Sequence, residues 1–256
     1  MGEYNPYSLK GKTILVTGAS SGIGKATAEE CARLGATVII TGRNKERLDN
    51  TLKGLDSSGE QVHCAVAADL TTPEGIESLA SQITSVDGVS DNAGLSVGNK
   101  PIKFIKEDEL ALVMNTNTFS HVYLAKQLFK KKLLNKNASY VFTASIGGNT
   151  SHVTGQALYG MSKSALDSFM KYCAVEFAGR GIRCNSVCPG MIETPLIHQD
   201  TLTDEDKAED VKSYLLKRYG QPEEVHAIIS KPLPIFGESI TIGDEMMQAY
   251  VIQQTG

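Results

Sequence analysis

Short apolar runs alternate with longer amphipathic stretches along this chain, and the alternation predicts most of its elements. Thr13-Ile14-Leu15-Val16 reads as a strand buried on both faces, because it lacks the polar-apolar alternation of a half-exposed one. Gly22 to Leu34 follows with helical spacing, its apolar face supplied by Ala26, Ala28, Cys31, Ala32 and Leu34. The rhythm then repeats. Ala36–Thr41 is a strand, Lys45–Leu55 a helix and Val62–Ala67 a strand, and a helix opens at Pro73 and runs to about Thr84. A weaker strand is predicted near Val86–Asn92, a helical segment over Glu107–Asn135, a strand over Ser139–Ala144, a long helix over Ala157–Ala178 and a strand over Ile182–Cys188. Further on, Leu202–Arg218 is charged and read as helical, Pro222–Ser230 starts another helix, and Glu238–Ile242 closes the sheet. Strands separated by helices of this length imply parallel βαβ units. The predicted fold class is therefore α/β, a doubly wound parallel sheet of Rossmann-like type, as one domain over residues 1–256.

Composition narrows the function. Hydrophobic residues make up 41% and charged residues 21%, as in a globular chain with a single large core. A net charge of -4 argues against nucleic-acid binding. No apolar run reaches the roughly 18 residues of a membrane span, and the polar Met1–Lys10 has no signal-like apolar core, so a cytoplasmic protein is expected. The five cysteines are odd in number and scattered, which fits reduced thiols. Cys184 and Cys188 have no nearby His or Cys partners, so no metal site is expected.

The turn between the first strand and first helix is Thr17-Gly18-Ala19-Ser20-Ser21-Gly22-Ile23-Gly24. Glycines there admit a pyrophosphate close to backbone N–H groups, and the helix N-terminus adds partial positive charge. At the end of the second strand, dinucleotide-binding proteins that prefer NAD carry an acid for the ribose 2′-hydroxyl. Here Gly42 stands in that place and Arg43 follows, a guanidinium suited to a 2′-phosphate. NADP(H) is thus the expected cofactor and NAD(H) the alternative. Lys45 and Arg47 are close by, with solvation of the helix as the plainer reading.

The spacing G-x-x-x-G-x-G resembles the cofactor motif of the short-chain dehydrogenase/reductase family, and the likeness runs from about Leu9 to Ile242. Within that family the chain is similar to 3-oxoacyl-(acyl-carrier-protein) reductase-like members. The resemblance implies that Gly18, Ser20, Ser21, Gly22, Ile23 and Gly24 hold the pyrophosphate. It places Asp69 and Leu70 at the adenine and Asn92-Ala93-Gly94 beside the cofactor. Pro189, Gly190, Ile192 and Thr194 would meet the nicotinamide. Tyr159 and Lys163 form a Y-x-x-x-K pair on one helix face. Ser145 precedes Tyr159 by fourteen residues, close to the family separation. Asn117 matches the family's catalytic asparagine, with Asn115 as the other candidate.

These residue types suit carbonyl reduction. A free tyrosine has a pKa of about 10, too high for efficient base chemistry near neutrality. The Lys163 cation would lower it, Ser145 would stabilise charge on the substrate oxygen, and Asn117 would hold a water that relays protons from Lys163. The implied activity is an NADP(H)-dependent oxidoreductase interconverting a ketone and a secondary alcohol. Its substrates would be 3-oxoacyl thioesters, small ketones, sugars or steroids. A non-catalytic dinucleotide sensor, an NAD-preferring alcohol or sugar dehydrogenase and an epimerase-like enzyme are the competing readings. A substrate lid is expected near residues 191–220, and a homo-oligomer, dimer or tetramer, is the expected assembly. The acidic residues of the lid segment read as a solvated helix face, and Lys130-Lys131-Lys132 as a lysine-rich helix end, with an acidic acyl-carrier partner as the alternative.

Three segments depart from the family pattern. Ser90 and Asp91 interrupt a strand that should be apolar, and an unpaired buried aspartate is costly. Capping by local amides or a loose strand would relieve it. Lys231-Pro232-Leu233-Pro234-Ile235-Phe236 precludes a regular helix, and Gly243-Asp244-Glu245 replaces the expected Asp-Gly-Gly.

Overall fold

The computed structural model describes residues 5–197, 203–229 and 237–242. Seven strands form one parallel sheet in the order β3-β2-β1-β4-β5-β6-β7. They are β1 (Thr13–Thr17), β2 (Thr37–Gly42), β3 (Cys64–Ala67), β4 (Val86–Asp91), β5 (Leu134–Thr143), β6 (Arg183–Pro189) and β7 (Ser239–Ile242). The helices between them are α1 (Gly22–Arg33), α2 (Lys45–Gly54), α3 (Pro73–Ser81), α4 (Glu107–Met114), α5 (Ser120–Lys130), α6 (Ala157–Phe177), α7 (Asp204–Val211) and α8 (Pro222–Ile229). This is the doubly wound sheet that the periodicity predicts.

Successive strand residues serve opposite faces, so β1 and β2, covered on both, are apolar over most of their length. Val16, Val38 and Ile40 pack with Ala28, Cys31 and Leu48 beneath α1 and α2. Their neighbours Leu15 and Ile39 join Leu79, Leu124, Leu128, Leu166 and Met170 from α3, α5 and α6 on the other side. Strand order reverses between β1 and β4, and the carboxyl ends of these two strands open a crevice there.

Two helical expectations are corrected. Residues 107–135 are not one helix: α4 passes into a π-helical turn at Asn115–Phe119, then α5, which ends at Lys130. Lys132 takes a left-handed φ of 59°, and β5 begins at Leu134, five residues before the expected Ser139. Leu133 and Leu134 are buried against the sheet, so packing overrides the helical propensity of this lysine- and leucine-rich stretch. The early part of β5 is irregular, with Asn137 at φ 65° and a register shift opposite Val86 to Gly88. Leu202 lies outside the described residues, and among 203–218 only Asp204–Val211 is helical; turns follow, with Lys217 at φ 54°. The two-proline segment 231–236 and Gly243-Asp244-Glu245 lie outside the described residues.

Candidate active site

The crevice at the strand reversal holds a cavity of about 280 Å³ lined by the β1–α1 turn, the ends of β2 and β4, and Tyr159 and Lys163 of α6. Its glycines are required by contact. Gly18 has φ +63°, and a Cβ there would lie 2.9 Å from Ala93 Cα. A Cβ on Gly24 would meet the Gly18 carbonyl at 2.5 Å. Gly24 therefore does not line the cavity; it lets α1 close against the turn. Ser21, the N-cap of α1, makes no side-chain cap bond, so its hydroxyl does not occupy the helix's first N–H donors. Glycines that leave no room for side chains, together with these donors, fit a pyrophosphate. Arg43 and Arg47 are exposed at the far end, where a 2′-phosphate would lie.

Asp69 also lines the cavity. Its carboxylate accepts hydrogen bonds from Thr71 Oγ1 (2.7 Å) and Thr71 N (3.0 Å). These bonds, led by the hydroxyl, hold its pKa below the ordinary carboxylate value against the effect of burial, with help from the Arg43 charge.

Asp91 is neither capped by local amides nor part of a loose strand. β4 pairs with β1 and β5, and the carboxylate is fully buried. Thr17 Oγ1 donates to Oδ1 (2.8 Å) and Tyr140 Oη donates to Oδ2 (2.8 Å), while His121 Nδ1 lies 2.8 Å from Oδ1. Burial acts to raise the Asp91 pKa, but the combined pull of His121, Tyr140 and Thr17 holds it below the ordinary range. These partners come from β1, β5 and α5, so the charge is satisfied entirely through tertiary structure.

Tyr159 and Lys163 are one turn apart on α6. The helix presses against the turn after β5 because the contacts are glycine: a Cβ on Gly160 would lie 2.5 Å from the Gly147 carbonyl, and one on Gly148 would lie 2.8 Å from Ser164 N. Lys163 is buried, its Nζ donating to the Thr143 carbonyl (2.7 Å) and lying 5.9 Å from the Tyr159 ring centroid. Burial pulls its pKa down to about 8, opposed by Asp91 and Cys188. Ser145 caps the turn after β5, its Oγ accepting from Gly147 N (3.2 Å).

Asn117 lies in the π-helical turn and lines neither this cavity nor the next. Its amide donates to the Leu95 carbonyl (2.9 Å) and Ser162 Oγ (3.1 Å), and its Oδ1 accepts from Leu95 N (2.8 Å). Both amide hydrogens are committed to Leu95 and Ser162, which fixes Leu95 and α6, while Oδ1 lies beside Gly94 as Lys163 Nζ does. Asn115 points elsewhere, toward the Thr71 carbonyl at 3.5 Å.

A second cavity of about 180 Å³ adjoins the first, with Ile23, Thr143, Tyr159, Thr194 and Leu196 lining both. Ser145 lines it, and so do Pro189, Gly190 and Ile192, expected at the nicotinamide. Among the described residues no Lys, Arg, Asp, Glu or His lines it. The structure thus gathers Gly18, Ser20, Ser21, Gly22, Ile23, Arg43, Asp69, Leu70, Asn92, Ala93, Gly94, Tyr159, Lys163 and Thr194 around the first cavity. Sequence reasoning missed Thr116, Ser120 and Thr143 there, and Val97, Val153, Leu158 and Tyr214 in the second. Only Thr143, two residues before Ser145 on the same strand, carried a usable signal.

Fold and cradle together define a dinucleotide-binding α/β protein with a tyrosine–lysine pair at the junction of two cavities. A sequence profile described as Enoyl-(Acyl carrier protein) reductase matches residues 18–230. The chain is 34% identical over 217 residues to a 3-oxoacyl-(acyl-carrier-protein) reductase of Rickettsia bellii, covering 85% of this chain and 87% of that protein. It is 31% identical over 229 residues to a tropinone reductase homolog of Arabidopsis thaliana, covering 88% and 83%. Among solved structures, a short chain dehydrogenase from Burkholderia cenocepacia in complex with NADP superposes with a TM-score of 0.82 at 26% identity, over 92% of this chain and 98% of that one. The protein belongs to the short-chain dehydrogenase/reductase family, and is an oxidoreductase of that family.

Proposed function

We propose that this protein interconverts a ketone and a secondary alcohol with NADP(H), with Tyr159, Lys163 and Ser145 as the catalytic residues. The observation that carries the reading is the position of Tyr159, on the shared wall of both cavities, with Lys163 in the first and Ser145 in the second. When bound, the nicotinamide supplies or accepts the hydride. Tyr159 Oη gives the proton to the carbonyl oxygen in reduction and takes it back in oxidation, Ser145 Oγ donates a hydrogen bond to that oxygen, and the Lys163 ammonium favours the phenolate. Asn117 positions Leu95 and Ser162 and, through its Oδ1, would hold the water that relays protons from Lys163.

The second cavity has no charged lining among the described residues, which supports a substrate with an uncharged, largely apolar body, such as the acyl portion of a 3-oxoacyl thioester. The segment 191–220 is its lid. Ile192 bridges to Gly220, with Glu193 N donating to the Gly220 carbonyl (2.8 Å) and Gly220 N to the Met191 carbonyl (3.0 Å). Met191, Leu196, Ile197 and Tyr214 from this segment line the cavity.

Arg43 decides the cofactor. Titration followed by nicotinamide fluorescence is expected to show tighter binding of NADPH than of NADH. Arg43→Ala should weaken NADPH by about tenfold or more, the loss of a charge-assisted pair, and NADH little. Equal losses for both would remove the basis for NADP(H).

Lys163 sets the alkaline limit. The working form is the ammonium, and it is lost as pH rises through about 8. kcat/KM for NADPH, measured from pH 6 to 10, should fall on a limb near that value. A flat profile up to pH 10 would contradict the assigned role.

A homo-oligomer belongs to the same proposal. α5 and α6 carry exposed large apolar side chains, Tyr123, Met161, Tyr172 and Val175. The double substitution Tyr172→Asp and Val175→Asp is expected to yield monomers in sedimentation velocity; an unchanged assembly would place the interface elsewhere. The free thiols Cys31, Cys64, Cys173, Cys184 and Cys188 support a reducing, cytoplasmic compartment. Among the described residues, no helix is long and apolar enough to cross a membrane.

A further inference from the structure

Both ring nitrogens of His121, a buried residue, face acceptors. Nε2 lies 2.9 Å from the Ala93 carbonyl oxygen. Nδ1 lies 2.8 Å from Asp91 Oδ1, at an angle outside good hydrogen-bond alignment. A carbonyl has no hydrogen to give. Asp91 already accepts from Thr17 and Tyr140, and two such donors favour the carboxylate over the acid. The Thr17 hydroxyl in turn accepts from Asn92 N (2.9 Å) and Ala93 N (3.0 Å), which leaves its own hydrogen for Asp91. A neutral imidazole carries a single N–H. The Ala93 carbonyl calls for that hydrogen on Nε2, and Nδ1 lies beside the Asp91 carboxylate without an aligned bond.

The pair grips a short stretch of backbone from two sides. Thr17 holds the amides of Asn92 and Ala93, and His121 holds the carbonyl of Ala93. Asn92, Ala93 and Gly94 line the larger cavity, and Ala93 abuts Gly18 so closely that a Cβ on that glycine would overlap it. A turn of the Ala93 peptide would move this wall against the glycine turn.

We propose that His121, buried beside Asp91, is a positioning residue of the dinucleotide site, its Nε2 fixing the Ala93 carbonyl and through it the 92–94 wall. This rests on the dinucleotide reading given above. The proposal separates binding from chemistry, because His121 touches neither Tyr159 nor Ser145 through any of these bonds.

The test has two parts. Ring-nitrogen NMR of histidine-labelled protein is expected to show a hydrogen on His121 Nε2; an Nε2 without one overturns the assigned bond to the Ala93 carbonyl. In the second part, His121→Gln keeps a donor for the Ala93 carbonyl and His121→Leu does not. The Leu variant should raise the NADPH dissociation constant at least tenfold and the Gln variant less than threefold. Both should keep kcat at saturating NADPH within threefold of the parent. Should the Leu variant not fold, His121→Asn, polar but too short to reach, replaces it. A folded Leu or Asn variant that binds NADPH like the parent overturns the proposal alone. A parent protein that binds neither dinucleotide overturns the dinucleotide reading as well.

Discussion

Tyr159→Phe is expected to lower turnover by about a thousandfold while leaving NADPH binding within about twofold, the magnitude of losing a positioned general acid. Only the phenolic oxygen is removed. The ring stays on the shared wall of the two cavities, and Lys163 keeps its bond to the Thr143 carbonyl. Turnover of a ketone at saturating NADPH and a fluorescence titration on the same preparation measure the two quantities separately. Unchanged turnover would sink the mechanism. Parallel loss of binding would mean that the hydroxyl is structural.

The largest expected effect on stability comes from Asp91→Ala. It leaves the Thr17 and Tyr140 hydroxyls without their buried acceptor. Leaving the two buried hydroxyls unsatisfied, at about 1–3 kcal/mol each, costs about 2–6 kcal/mol. For a chain of this size, at roughly 2–4 °C per kcal/mol, the melting temperature should drop by roughly 4–24 °C. Asp91→Asn, which keeps an acceptor oxygen, should lose less. A melting curve within a degree or two of the parent for the Ala variant would show that the network carries no net stability. The acid side has a definite sign. The Asp91 pKa is held below the ordinary carboxylate value, so its contribution is complete above about pH 4 and is lost as pH falls through the depressed native value.

The cofactor side of the site was legible in the sequence because its determinants are local. Gly18, Gly22 and Gly24 mark a turn that only glycine permits, and Tyr159 and Lys163 share a face by helical geometry alone. The strands were legible because a sheet covered on both faces needs continuous apolar runs. The start of β5 was not, since Leu133-Leu134 in a lysine-rich stretch reads as helix until the sheet is present to bury it. Asp91 looked like a defect because its partners lie 30 or more residues away in sequence, at Thr17, His121 and Tyr140. The side-chain bonds of Asn117 to Leu95 and Ser162 were not legible, since they depend on how α6 packs. The second cavity is assembled from five separate stretches of chain, around Ile23, 96–99, 143–159, 189–197 and Tyr214, and its shape follows only from their packing.

The bridge between Ile192 and Gly220 brings both ends of the proposed lid segment back to one point beside β6. Such a segment behaves as a cassette. Lengthening it adds loop-closure entropy only slowly, by about 0.6 kcal/mol per doubling, and the strands that carry Ser145 and the cofactor turn need not move. Exchange of residues 193–219 between relatives that keep the bridge should therefore transplant substrate preference while leaving the hydride chemistry in place. Descendants of one such scaffold can diverge in what they reduce without first rebuilding how they reduce it.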